Sequence, residues 1–196
     1  MNKLKLYSEL ARPFTLLPPA LGVVSGAVSA WGAHQTKVPV TWALLYPILL
    51  GTAMAAVLNA ANNAINQIYD LDIDKVNKPG RPLPSGRMTL TEAWTFTIIT
   101  FVLANFLAFL VAPVGARECF WIVLFTTFMC WIYSAPPLWT KRRGIWANIT
   151  IAIPRGILLK VAGWSTVKTV MDAEPWYIGT IFGLFLLGAA STKDFA

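Results

Sequence analysis

Carboxylates and histidine are scarce in this chain. Nine of the 196 residues are Asp or Glu and one is His, too few for a His-rich metal cluster or for several separate acid/base sites. Charged residues reach only 13% against 56% hydrophobic, which excludes a disordered or highly charged solvated chain. Cysteine is nearly absent as well. Cys119 and Cys130 lie eleven residues apart in one predicted helix, about 16 Å at the helical rise, so they cannot form a disulfide and read as packing residues. The single His34 sits in a predicted loop beside Gln35 and reads as a solvated side chain.

What is abundant is long apolar sequence. Mean hydropathy is +0.58, and a bilayer span takes roughly 20 mostly apolar residues. Six stretches qualify, at about 13–33, 42–64, 92–113, 118–135, 146–164 and 175–191, so the expected fold is all-α: a polytopic membrane helix bundle of six transmembrane helices. The basic segment Met1 to Arg12, with Val28 and Ala30 at spacings suited to cleavage, resembles a signal peptide. Its apolar run is nearer a full span, and another span follows at once, so it is retained in the mature chain.

The basic residues are lopsided. Lys3, Lys5, Arg12, Lys75, Lys78, Arg81, Arg87, Lys141, Arg142, Arg143 and Lys193 fall on one side of the expected spans, and Lys37, Arg117 and Lys168 on the other. The positive-inside rule makes the first side cytoplasmic and accounts for the net charge of +7 without nucleic acid. The expected location is the cell inner or plasma membrane, multi-pass, with the N-terminus and the 70–91 loop cytoplasmic. Arg155 and Lys160 fall inside a span. Lys160 is expected to snorkel from its outer end, whereas Arg155, nearer the middle, is a functional candidate that shares a helix face with Asn148.

The chemically informative stretch runs from Asn59 to Arg87. At 100° per residue Asn59, Asn62, Asn63, Asn66, Gln67, Asp70 and Asp74 fall within an arc of roughly 140°, with Asp72 opposite. A polar stripe cannot face lipid and must turn toward protein or a wet cavity. Asn59, Asn62 and Asn63 can serve helix packing. Asn66, Asp70 and Asp74 stack oxygen-bearing side chains about 6 Å apart, a hard-oxygen set suited to Mg²⁺, which takes one or two carboxylates and fills its remaining positions with water and substrate phosphates. Lys75, Lys78, Arg81 and Arg87 follow in a loop that Pro79, Gly80, Pro82, Pro84 and Gly86 keep non-helical, and Arg offers phosphate a bidentate fork.

Asn66-x-x-x-Asp70-x-x-x-Asp74 followed by Arg81-Pro82-Leu83-Pro84-Ser85-Gly86 resembles the first aspartate-rich motif of the UbiA-type intramembrane prenyltransferases. The resemblance implies a nine-helix fold around a cavity, with two aspartate-rich segments under a cytoplasmic cap holding a prenyl diphosphate through Mg²⁺. Tyr133-Ser134-Ala135-Pro136-Pro137 with Lys141 resembles the segment whose Tyr and basic residue face the diphosphate, and Arg12-Pro13 the start of the first helix. Many members read Asn-Asp where this chain has Asn66-Gln67, as in the homogentisate-type branch. Ser191 to Ala196 looks like the start of the second motif, so residues 1–196 are expected to be a single prenyltransferase domain truncated at its C-terminus.

By this resemblance Asp70, Asp74 and Tyr133 are catalytic. Asn66, Asp70, Asp74 and Asp194 bind Mg²⁺, and Asn66, Arg81, Lys141, Arg12 and Arg155 bind substrate. The donor is a polyprenyl diphosphate and the acceptor hydrophobic or aromatic: a hydroxybenzoate, homogentisate, dihydroxynaphthoate, chlorophyllide or prenylated glycerol phosphate. The rival readings are a transporter, which calls for carboxylates near the bilayer midplane, and a phosphatidyl-alcohol transferase, whose Asp-x-x-Asp-Gly start is not found. With the second motif reduced to Asp194, the chain alone is expected to be inactive. A radiolabelled-prenyl transfer assay with Mg²⁺ and a panel of acceptors should stay at background, and acceptor prenylation clearly above it overturns the two-site expectation.

Overall fold

In a computed structural model that describes residues 3–33, 39–111 and 117–191, the chain is a bundle of helices with no strand among the described residues. His34 and Asp194 lie outside them. The helices are α1 (Lys3–Ala11), α2 (Leu17–Gly32), α3 (Trp42–Tyr69), α4 (Leu71–Asn77), α5 (Leu90–Leu110), α6 (Glu118–Ser134), α7 (Ile145–Ala152), α8 (Leu159–Trp164) and α9 (Glu174–Ser191). Short 3-10 turns occupy Pro13–Thr15 and Thr140–Arg142, and a π-turn at Ile153–Leu158 joins α7 to α8.

Each expected apolar stretch is helical, but not all form uninterrupted spans. Three helical segments are long and apolar enough to cross a membrane by length and composition: Trp42–Tyr69, Leu90–Leu110 and Ile145–Trp164. A fourth arises if Lys3–Thr15 and Leu17–Gly32, bent by 50°, are taken as one. The bend has a cause in sequence, because Pro13, Pro18 and Pro19 have no N–H to continue the helical ladder. At 17 residues α6 is shorter, and α9 opens on Glu174 and Pro175.

The main core is set where α2, α3, α5, α6 and α8 meet, on Val23, Ala27, Met54, Ala61, Phe101, Ala104, Val123, Val161 and Trp164. A second cluster, Leu6, Leu10, Ala64, Ile68, Leu83, Met88 and Ala93, packs α1 and the 78–89 loop onto α3 and α5. Ion pairs Lys3–Glu92 (2.9 Å), Glu9–Arg87 (2.9 Å) and Asp70–Lys141 (2.7 Å) tie the N-terminal helix, the 70–91 loop and the 136–145 loop together at one end of the bundle. At the other end Glu118 accepts from Thr169 Oγ1 (2.6 Å) and Val170 N (2.8 Å), and Lys168 pairs with Asp172.

Lys160 corrects its expected snorkelling. It is buried, its Nζ donates to Ser25 Oγ, and it stands 3.9 Å from the centre of the Phe182 ring. Its backbone is drawn in because α2 and α8 approach at glycines: a Cβ on Gly26 would fall 2.4 Å from the Lys160 carbonyl oxygen, and one on Gly163 2.3 Å from that of Val23. Gly163→Ala should therefore destabilise the bundle by about 1–3 kcal/mol, the usual cost of overpacking. Thermal unfolding in detergent measures this, and an unchanged midpoint shows that the helices can part without loss.

Candidate active site at the end of the third helix

The site is built on a broken helix. The chain turns at Arg12 (φ 58, ψ 69) and Thr15 N bonds to Arg12 O instead of Ala11 O, so the carbonyls of Leu10 and Ala11 leave the helical ladder, and Pro19, which has no N–H, leaves that of Thr15 without a donor. Three amides spaced one turn apart on α3 replace them. Gln67 Nε2 donates to Leu10 O (2.8 Å), Asn63 Nδ2 to Ala11 O and Thr15 Oγ1 (both 2.8 Å), and Asn59 Nδ2 to Thr15 O (2.8 Å). The left-handed backbone at Arg12, uncommon for a residue with a Cβ, is thereby clamped, and Arg12 lines the cavity beside α3.

That cavity has a volume of about 310 Å³. One wall is the stripe of α3, with Asn59, Asn62, Asn63, Asn66, Gln67 and Asp70. Lys78, Arg81 and Lys141 stand in the loops that border it, Cys130 and Tyr133 come from α6, and Thr150, Ile151, Pro154, Arg155 and Leu159 form the far wall. Pro19, Ala55 and Leu58 make its apolar floor. Asp70, whose side chain is 30% exposed, is the one carboxylate among the lining residues and pairs with Lys141 Nζ at 2.7 Å. Asn66 is oriented on both sides, giving Nδ2 to Asn62 O (2.9 Å) and taking Ser134 Oγ on Oδ1 (2.7 Å). Gln67 Oε1 is buried in the same wall without a hydrogen-bond partner.

Of the expected site residues, Asn66, Asp70, Tyr133, Arg81, Lys141, Arg12 and Arg155 all line this cavity. Asp74 does not, which corrects its expected place on the open stripe. The helix ends at Tyr69, Asp70 is the junction residue (φ −97, ψ 8) and α4 starts a new segment, and there the Asp74 carboxylate is held by the cations of the loop that follows. Asp74 is 3% exposed, accepts from Arg81 Nη1 and lies 3.7 Å from Lys78 Nζ. It holds these two cations rather than facing the cavity. Asp72 points outward as the phase predicts, 94% exposed and paired with Lys75.

Arg155 reaches the cavity, but Asn148, expected on its face, is buried and is not among the lining residues. The π-turn after Ala152 shifts the phase between them. The amide ladder was the feature least apparent from sequence. Its signal is the Asn59-x-x-x-Asn63-x-x-x-Gln67 spacing read together with the three prolines of residues 13–19.

No cluster of three or more His, Cys, Asp or Glu side chains able to hold a metal occurs among the described residues. The donors nonetheless fit a hard cation that is completed by phosphate oxygens and water. Asp70 keeps an exposed carboxylate, and Asn66 adds a neutral oxygen one turn away.

A helical bundle whose cavity sets one carboxylate among several cations has the chemistry to meet an anionic, partly apolar ligand. The UbiA prenyltransferase family matches residues 15–196, and the chain belongs to it. It is 29% identical over 198 residues to chlorophyll synthase of Arabidopsis thaliana, across 99% of this chain and 50% of that protein. Digeranylgeranylglyceryl phosphate synthase of Ignicoccus hospitalis is 39% identical over 168 residues, across 85% of this chain and 49% of that one. A solved digeranylgeranylglyceryl phosphate synthase structure superposes with a TM-score of 0.82 at 26% identity, covering 100% of this chain and 63% of that one. A UbiA homolog from Archaeoglobus fulgidus bound to DMAPP and Mg²⁺ shares the fold, with a TM-score of 0.73 at 24% identity over 94% of this chain and 62% of that chain. The chain spans about half the length of the curated relatives it matches.

The buried Asp74–Arg81 pair generates a stability test. Arg81→Gln leaves the Asp74 carboxylate with Lys78 alone. The expected loss is about 2–4 kcal/mol, below the full penalty for breaking a buried pair because Lys78 remains and Arg81 is partly exposed. Asp74→Asn with Arg81→Gln should cost less than the two single changes summed, and additivity in denaturation measurements excludes the pairing.

Proposed function

We propose that this chain supplies the diphosphate-binding half of a Mg²⁺-dependent membrane prenyltransferase, which moves a polyprenyl group from its diphosphate to a hydrophobic or aromatic acceptor. The observation that carries the reading is Asp70: a half-exposed carboxylate beside Lys141, in a cavity also lined by Arg12, Lys78 and Arg81. Similarity to proteins named as prenyltransferases supports it.

Mg²⁺, when bound, supplies positive charge to the developing diphosphate leaving group, and Asp70 and Asn66 are the residues that would hold it. Lys141, Arg81 and Lys78 bind phosphate oxygens and stabilise the charge that grows on them as the C–O bond to the allylic carbon breaks. Asp74 keeps Arg81 and Lys78 in place without entering the cavity. Arg12 closes the ring from the helix break, and Tyr133 orients an oxygen from α6. The apolar residues Pro19, Ala55, Leu58 and Leu159 receive the first part of the lipid tail and exclude water, which protects an allylic cation from hydrolysis.

The same reading places six helical passes in an inner or plasma membrane. The N-terminus, the 70–91 loop and the 136–145 loop are cytoplasmic, because the basic residues collect at that end.

The test is equilibrium binding of geranylgeranyl diphosphate to the purified chain in detergent with Mg²⁺. Asp70→Asn or removal of Mg²⁺ by EDTA should weaken binding roughly tenfold or more, the usual size of a lost charge-assisted contact, whereas Asp72→Asn should leave it nearly unchanged. Equal losses for Asp70→Asn and Asp72→Asn, or binding indifferent to EDTA, reject the site.

A further inference from the structure

Arg155 lines the cavity apart from the cations that pair with Asp70 and Asp74, and it forms no ion pair among the described residues. It sits on the π-turn behind Pro154, ten residues into the segment that starts at Ile145. At the helical rise this is about 15 Å in from the loop that carries Lys141. Its side chain is exposed and lines the cavity, as do Cys130 and Tyr133 of α6.

The described carboxylates are otherwise engaged. Glu9, Asp70, Asp72, Asp74, Glu92 and Asp172 each pair with a Lys or Arg other than Arg155. Glu118 is held by Thr169 and Val170 at the opposite end, where α9 also begins with Glu174. Arg155 therefore has no carboxylate partner among the described residues. An arginine at that depth is costly unless an anion or water meets it, and a π-turn inside a span is a common mark of a functional position.

The geometry points to Arg155 as the anchor for an anionic group on the acceptor, a carboxylate or phosphate monoester. The acceptor's nucleophilic end would then lie toward Tyr133 and the diphosphate at Asp70. This rests on the prenyltransferase reading and assigns the acceptor's anionic group to one residue, Arg155. Tyr133 links the two places, because it lines the same cavity as Asp70 and Arg155. The guanidinium is suited to this task, since it stays charged at any working pH and offers oxyanions a planar fork.

Binding to the purified chain in detergent tests the proposal without requiring turnover. The probes are 2,5-dihydroxyphenylacetate, its methyl ester, sn-glycerol 1-phosphate carrying prenyl ethers, and, separately, geranylgeranyl diphosphate with Mg²⁺. At least one of the two acids should bind saturably, which distinguishes an aromatic acid from a phospholipid precursor. Arg155→Gln should weaken that acid roughly 10- to 100-fold, Arg155→Lys should restore part of the loss, and the diphosphate should bind Arg155→Gln as it binds the wild type.

Equal binding of an acid and its neutral ester, no saturable binding of either acid, or a parallel loss of diphosphate affinity in Arg155→Gln overturns the assignment. The last outcome would place Arg155 on the donor instead. Failure of the diphosphate to bind the wild type while an acid binds through Arg155 rejects the prenyltransferase reading and leaves the anion site standing.

Discussion

Everything at the open end of this bundle depends on three backbone carbonyls that the break after α1 leaves without helical donors. In the interior of a membrane protein an unsatisfied carbonyl costs several kcal/mol, so a helix broken at Pro13 and resumed before Pro18 and Pro19 survives only if other groups meet Leu10, Ala11 and Thr15. Gln67, Asn63 and Asn59 do so at 2.8 Å each. These bonds fix the angle of α1 across the end of α3, hold Arg12 in its left-handed conformation, and bring Glu9 to Arg87 and Lys3 to Glu92. The loop that carries Arg81 is thereby seated on the same helix end as Asp70.

The parts of the site that were legible in sequence are those governed by that constraint. Lipid offers a polar side chain no partner, so the stripe from Asn59 to Asp70 had to face protein or a cavity, and Asp72, on the other side of the helix, had to leave it. Asp74 was illegible for a local reason. It lies just past the junction of α3 and α4 at Asp70, and its carboxylate settles between Arg81 and Lys78, loop cations whose position helical phase does not register. Asn148 is turned inward and buried as expected, while the π-turn between it and Arg155 changes the helical phase, which hydrophobic periodicity does not register.

Lys160 and the spans show a second limit. A lysine near a helix end suggests snorkelling only if its backbone is free to approach the interface. Here Gly26 and Gly163 let α2 and α8 come into contact, and the ammonium is satisfied inside by Ser25 and the Phe182 face. Hydropathy found every apolar helix. It did not show that the first bends by 50°, because the bend reflects missing N–H donors rather than apolar content.

Charge completes the argument. The cavity is lined by Arg12, Lys78, Arg81, Lys141 and Arg155 against Asp70, and the one further carboxylate in contact with these cations, Asp74, lies behind the wall. Five cations facing two carboxylates leave three positive charges in a space walled partly by Ala55, Leu58 and Leu159, where water screens poorly. Such an excess suits anionic ligands, and its distribution is uneven: Lys78, Arg81 and Lys141 gather around Asp70 and Asp74, whereas Arg155 stands deeper and apart. A single polyanion at the mouth would satisfy the first group and leave Arg155 unmet. Two anionic groups at two depths would satisfy both, the arrangement that the proposed transfer between two bound substrates calls for.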